Sequence, residues 1–215
     1  LDNNYAGLSE VRWNLANLDA TLPVPANDEI DVEQDIALLE WVPGDSAGAT
    51  NGHDVYFGTS QEDVTNATVA VPLGVYQGRK SSATFDPPAL ELNQTYYWRV
   101  DEVNESIPDM WSGTVWSFTV ADFIVVDDME DYNAANLINA TWIETGGAQV
   151  DDNTAPPVQG GLVSMDFGYN GSSDVTRTFP QAQDWTDQNL KSLELYYQGE
   201  LTNDGGPLSI TLQDA

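Results

Sequence analysis

Thr95-Tyr96-Tyr97-Trp98-Arg99-Val100-Asp101 alternates as a β-strand does. Successive side chains on a strand point to opposite faces, so Tyr96, Trp98 and Val100 share one face and Tyr97, Arg99 and Asp101 the other. The expectation is a half-buried strand, its first face in a core and its second in water. Trp116, Phe118 and Val120 repeat the period downstream, and Leu39 with Trp41 supplies it upstream, so these three strands centre one core. Further strand candidates are residues 36–42, 53–57, 68–71, 162–166, 175–179, 193–197 and 208–212; the two central ones extend over 95–103 and 114–120. Clusters of Gly, Pro, Asn and Asp separate them, and no stretch keeps a 3.6-residue period for more than about two turns. The fold class is all-β.

The chain has 215 residues, more than one sandwich of about 100 needs, so two modest domains are expected. Seven Trp and nine Tyr supply core material in spite of the charge. Thirty-five acidic residues oppose six basic ones, a formal net charge of −29. Phosphate binding needs clustered Lys and Arg, which excludes nucleic acid and an anionic membrane surface as partners. No apolar run of 18 residues is present for membrane insertion. The acidity is expected either as a solvated surface suited to salty water or as carboxylates that gather Ca²⁺, and the two are compatible. The sequence has no cysteine, so disulfides, thiolate metal sites and a Cys nucleophile are excluded. It opens at Leu1 without Met or a signal sequence, and is expected to be an interior stretch of a longer precursor.

Leu39-Glu40-Trp41 followed by Pro43-Gly44 resembles strand B of fibronectin type III domains, and Leu90-Glu91-Leu92-Asn93-Gln94-Thr95-Tyr96 resembles the turn and tyrosine corner before their strand F. That resemblance implies a hydrogen bond from Tyr96 back to its own turn. Leu92 stands where the family usually has Pro, and Gln94 where it has Thr. His53-Asp54-Val55-Tyr56-Phe57-Gly58-Thr59, residues 96–104 and Val115-Trp116-Ser117-Phe118 resemble a repeat of large secreted proteins of planctomycete-type bacteria. Residues 22–121 are covered and are expected as a fibronectin type III-like β-sandwich.

After Ala121 the pattern restarts. Phe123-Ile124-Val125-Val126 running into Asp127-Asp128-Met129-Glu130-Asp131-Tyr132 resembles the first strand of galactose-binding-like jelly rolls, the architecture of many carbohydrate-binding modules. Thr141-Trp142, the Gly160-Gly161 turn, Asp184-Trp185-Thr186 and residues 193–199 extend the likeness. A complete jelly roll needs about eight strands, so residues 122–215 are expected as its N-terminal part. Tyr5-Ala6-Gly7-Leu8-Ser9-Glu10-Val11-Arg12-Trp13 resembles the strand that closes such a fold. Residues 1–21 are therefore assigned to a closing strand, of a preceding module or a neighbouring chain, with a linker; strand donation to a neighbour is the corresponding assembly mode.

Catalytic chemistry finds little support. His53 is the lone histidine, at the start of a strand, which favours a structural role over a Ser-His-Asp triad, and one His with no Cys speaks against a zinc or copper site. Gly-rich phosphate loops are absent. Two carboxylates suffice for a glycosidase, but among 35 acidic residues any two carry no weight, and no enzyme is expected.

Asp127, Asp128, Glu130 and Asp131 are the metal candidates. Ca²⁺ takes six to eight oxygen ligands, and the jelly-roll resemblance implies a structural ion at the first strand, completed by an acidic residue of the last strand, for which Glu10 is a candidate. Alternation points Asp128 and Glu130 to one side. An acidic loop without an ion is the alternative, and Asp151 with Asp152 is expected as solvated loop. Sugar binding needs exposed rings beside hydrogen-bonding groups, which makes Trp142, Trp185, Tyr169 and Tyr197 the ligand candidates, with a core role as their alternative. Five N-x-Ser/Thr sequons, at Asn66, Asn93, Asn104, Asn139 and Asn170, are expected as coincidence in a bacterial protein.

The functional expectation is a non-catalytic extracellular structural or interaction module of a larger secreted or cell-surface bacterial protein. Its partners would be other modules of the same polypeptide or neighbouring subunits. A carbohydrate-binding module targeting a polysaccharide, and a subunit of a strand-exchanged surface filament or layer, are the alternatives.

Overall fold

The structure, a computed structural model, describes residues 16–36, 38–135, 137–154, 161–169, 171–181, 185–186, 190–199 and 207–213. The segment 5–13 with Glu10, and Gly160, Asn170 and Asp184, lie outside the described residues. Chain contacts divide the protein into two units between Ile124 and Val125.

The first unit runs β1 (Thr21–Val24), β2 (Glu29–Val32), β3 (Leu39–Val42), β4 (His53–Gly58), α1 (Gln61–Asn66), β5 (Tyr76–Lys80), β6 (Thr84–Phe85), β7 (Thr95–Asn104), β8 (Ile107–Trp111) and β9 (Trp116–Val120). Strands β1, β3 and β6 form one sheet in that order; the other has the order β2, β9, β7, β4, β5, with β8 also paired to β7. All pairings are antiparallel except β2 with β9. The sheets meet as a sandwich. Leu39, Trp41 and Phe85 from the first pack with Val55, Phe57, Tyr96, Trp98, Val100, Trp116, Phe118 and Val120 from the second. Trp98 lies 4.7 Å from Trp116 and 6.1 Å from Trp41 between ring centroids, so the alternation read from residues 95–101 does place its apolar face in the core.

At the turn before β7, the Glu91 amide donates to the Tyr96 hydroxyl at 2.9 Å, the corner contact expected there. Asn93 holds φ +58° in that turn, a left-handed conformation that Asn tolerates.

The opposite face of β7 differs from expectation. Arg99 is 4% exposed and Asp101 1%, so this face is buried rather than wet. Its cover is α1 and the chain leading to β5, where Val64, Ala67 and Val75 pack against Tyr56, with Tyr97 partly buried beside them. Helix α1 starts at Ser60, whose side chain accepts from the Asp63 amide at 3.2 Å, with Glu62 and Asp63 suited to the positive end of the helix. Residues 68–71, expected as a strand, form a tight turn instead: Thr68 N–H donates to Val71 O at 2.9 Å, and Val71 N–H to Thr68 O at 3.1 Å.

The second unit has α2 (Ile138–Thr141), β10 (Trp142–Thr145), β11 (Gln149–Asn153), β12 (Ser164–Gly168) and β13 (Asp174–Arg177). Strands β10 and β13 pair as one antiparallel ribbon, β11 and β12 as another. Asp151 and Asp152, expected in a loop, sit within β11, where Val150 is buried and anchors the strand. Residues 193–197 and 208–212, expected as strands, carry no strand pairing in the described residues, and Leu193, Leu195, Tyr197, Leu208, Ile210 and Leu212 are exposed. A period of two marks strand-forming sequence, but a strand exists only when a partner offers its backbone.

Candidate functional site

The buried ionisable groups of the first unit gather on β4 and β7. Asp54 and Asp101 are directly opposed across these strands, and both are buried. Two opposed carboxylates repel, so each requires its own cation. Arg79 from β5 supplies one, with Nε 3.0 Å and Nη2 2.7 Å from the two Asp54 oxygens. Arg99 supplies the other, with Nη2 3.0 Å from Asp101 Oδ2 and Nε 2.9 Å from Oδ1. The layer of four charges is neutral.

Arg99 does a second task. Its Nη1 donates to the carbonyls of Val64 at 2.8 Å and Thr65 at 2.6 Å, and its Nη2 to that of Ala67 at 2.8 Å, which satisfies the end of α1. The same guanidinium lies 4.3 Å from the centre of the Tyr56 ring. Asp101 also accepts from Ser112 Oγ at 3.1 Å and Gly113 N at 3.0 Å. Gly113 approaches β7 so closely that a Cβ there would meet Val100 O at 2.1 Å, so only glycine fits. Burial pushes the Asp101 carboxyl above its ordinary value, against the Arg99 charge. Burial, then the hydrogen bond to Asp54 at 2.7 Å, pushes the Tyr76 hydroxyl up to about 12.

His53 stands on the core face. Its Nδ1 lies 2.5 Å from Glu102 Oε2, both residues are buried, and the Trp41 ring packs edge-on at 5.4 Å. The Gly44 amide donates to the other Glu102 oxygen at 3.3 Å. A carboxylate and imidazole so enclosed hold the 43–52 loop to β7.

In the second unit, Asp127 is a hub. Its Oδ1 accepts from Met129 N at 2.9 Å; its Oδ2 accepts from Tyr132 Oη at 2.7 Å, from the Trp142 indole at 2.9 Å and from Arg177 Nη1. Trp142 and Arg177 are directly opposed across β10 and β13. The Arg177 guanidinium lies 5.9 Å from the Trp142 ring centre and 5.0 Å from that of Phe179, and Trp185 packs edge-on against Phe179 at 5.5 Å. Burial pushes the Arg177 guanidinium below its ordinary value.

The other metal candidates turn to their own chain. Asp128 Oδ1 accepts from Glu130 N at 3.0 Å, and Glu130 Oε1 accepts from Leu162 N and Val163 N, each at 2.8 Å. Gly161, at φ +66°, makes room for that carboxylate, since a Cβ there would strike Glu130 Oε1 at 2.2 Å. The Asp131 carbonyl accepts from Asn133 Nδ2 at 3.2 Å. Among the described residues no three His, Cys, Asp or Glu side chains converge as a metal-ligand set.

Of the ligand candidates, the structure joins Trp142 and Trp185 through Arg177 and Phe179, and all four are partly buried. Tyr169 is 48% exposed and packs instead on Phe167 at 5.9 Å, and Tyr197 stands 76% exposed. Sequence reasoning missed Arg177, Tyr132 and Phe179. The available signal was Arg177 as one of two cations after Arg99, two residues before an aromatic ring on a strand. A concavity among the described residues is lined by Glu144, Gln149, Asp151 and Asp166. Among the described residues no helix is long and apolar enough to cross a membrane.

No family model and no curated protein matches the sequence. Among solved structures, the chain is similar to part of an alpha-L-rhamnosidase from Dictyoglumus thermophilum, with 14% identity and a TM-score of 0.37. That alignment covers 70% of this chain and 16% of the other, a distant likeness between β-rich domains.

Proposed function

We propose that the chain is a non-catalytic structural and interaction module of a larger secreted or cell-surface bacterial protein. The first unit is read as a fibronectin type III-like sandwich, supported by the order β1-β3-β6 against β2-β9-β7-β4-β5 and by the Tyr96 corner. The second is read as part of a galactose-binding-like jelly roll. One observation carries the functional reading: the buried ionisable groups of the first unit, His53, Asp54, Arg99, Asp101 and Glu102, are closed on internal pairs, His53 on Glu102, Arg79 on Asp54 and Arg99 on Asp101. A general acid or base must come within hydrogen-bond reach of a substrate, and groups closed on one another in this way hold sheets together instead. Such a module spaces and presents its neighbours in the polypeptide.

Carbohydrate binding is the second reading, favoured by the partly buried cluster of Trp142, Arg177, Phe179 and Trp185. A glycan array of algal, plant and bacterial polysaccharides separates the two. Silence supports the spacer; binding abolished by Trp185→Ala supports a carbohydrate-binding module. Release of new reducing ends from any of these glycans would overturn the non-catalytic assignment.

A further inference from the structure

We propose that Arg177 is the resident cation of the acidic segment 127–131, holding with a guanidinium the place that a bound divalent ion would otherwise take. Four donors already converge on the Asp127 carboxylate: the Met129 amide, the Tyr132 hydroxyl, the Trp142 indole and Arg177. Three of them crowd on Oδ2, more than the two lone pairs of one oxygen, so a calcium ion at that oxygen would have to evict one of these partners. Asp128 and Glu130 are likewise turned to backbone amides of Glu130, Leu162 and Val163.

The rings decide between the two kinds of cation. Calcium takes hard oxygen ligands, whereas a guanidinium is planar and weakly hydrated, donating to a carboxylate while lying against aromatic faces. Arg177 meets Asp127 while its guanidinium lies near Trp142 and Phe179, the surroundings that suit it and not a hydrated metal ion. Being opposed to Trp142 across β10 and β13, it also ties the start of the unit to that ribbon. The segment therefore keeps its conformation without calcium, whether or not a glycan binds nearby.

Hydrogen exchange by mass spectrometry on the full chain tests this, reading peptides that span residues 127–132 and 142–145 in calcium chloride or EDTA at fixed high ionic strength. Wild-type protection is expected to be the same in both buffers. Arg177→Gln should exchange at least about tenfold faster in these peptides, with those of the first unit unchanged. Should Arg177→Gln unfold the second unit entirely, Arg177→Lys retains the charge without the plane, and its protection should fall between the two and stay insensitive to calcium. Greater wild-type protection in calcium than in EDTA, or protection in Arg177→Lys equal to that of the wild type, would overturn the proposal.

Discussion

On β4, His53, Val55 and Phe57 point into the aromatic core, while Asp54 and Tyr56 between them point into a layer of charges and hydroxyls, and all five are buried. β7 behaves in the same way, with Trp98 and Val100 on one side and Arg99 and Asp101 on the other. The apolar face gains from every square ångström it removes from water, at about 25 cal/mol per Å². The charged face must first offset the cost of dehydrating its ions, which it does by pairing each carboxylate with a guanidinium. One face thus supplies stability. The other supplies specificity of position, because Arg99 is satisfied only when α1 ends where it does and Asp101 only when Gly113 lies against β7.

Four measurements sharpen that contrast. Trp98→Ala should cost about 3–5 kcal/mol in urea unfolding, since a fully enclosed ring leaves a cavity between Trp41 and Trp116. Asp101→Ala should cost about as much by a different route, stranding the Arg99 charge in a buried site. In a double-mutant cycle, Arg99→Ala added to Asp101→Ala should cost less than the sum of the singles, with a coupling of about 1–3 kcal/mol. Additive losses would mean that the two charges are independent. Tyr96→Phe removes only the hydroxyl that accepts from Glu91 and should cost about 1 kcal/mol; an unchanged midpoint would remove the corner from the list of supports.

The smallest effect is on pH dependence. Burial holds the Asp101 carboxyl above its ordinary value of 3.8, so the folded chain binds this proton more tightly than the unfolded chain does. Its contribution therefore grows as pH falls from the folded value towards 3.8 and is lost as pH rises, the reverse of an ordinary salt-bridged carboxylate. Relative to Asp101→Asn, the wild type should gain stability on acidification through that window, by at most about 1.4 kcal/mol per pH unit. A relative loss would mean that the Arg99 charge outweighs burial.

Much of the first unit was legible. Tyr96, Trp98 and Val100, with Trp116, Phe118 and Val120, announced two central strands and the face they bury, because alternation follows from local backbone stereochemistry. The same alternation gave no hint that Arg99 and Asp101 would be covered. Their cover comes from a segment 35 residues away in sequence, between Val64 and Arg99, and periodicity carries no record of what packs on either face. Acidity was expected to be solvation or calcium; Asp54, Asp101 and Glu102 reached a third destination, buried within the first unit.

The second unit divides in the same way. Asp127 to Asp131 stood out as a cluster, and Trp142 and Trp185 as rings, but Arg177, 50 residues beyond Asp127, joins them only through the pairing of β10 with β13. Residues 193–197 and 208–212 have the period of strands and no partner among the described residues. The sequence by itself determined the all-β class and the central strands, through local alternation, and the absence of thiol chemistry, through composition. Tertiary structure alone decided which charges meet, which face is wet and which strand pattern becomes a strand, because each depends on backbone and side chains brought together from distant positions.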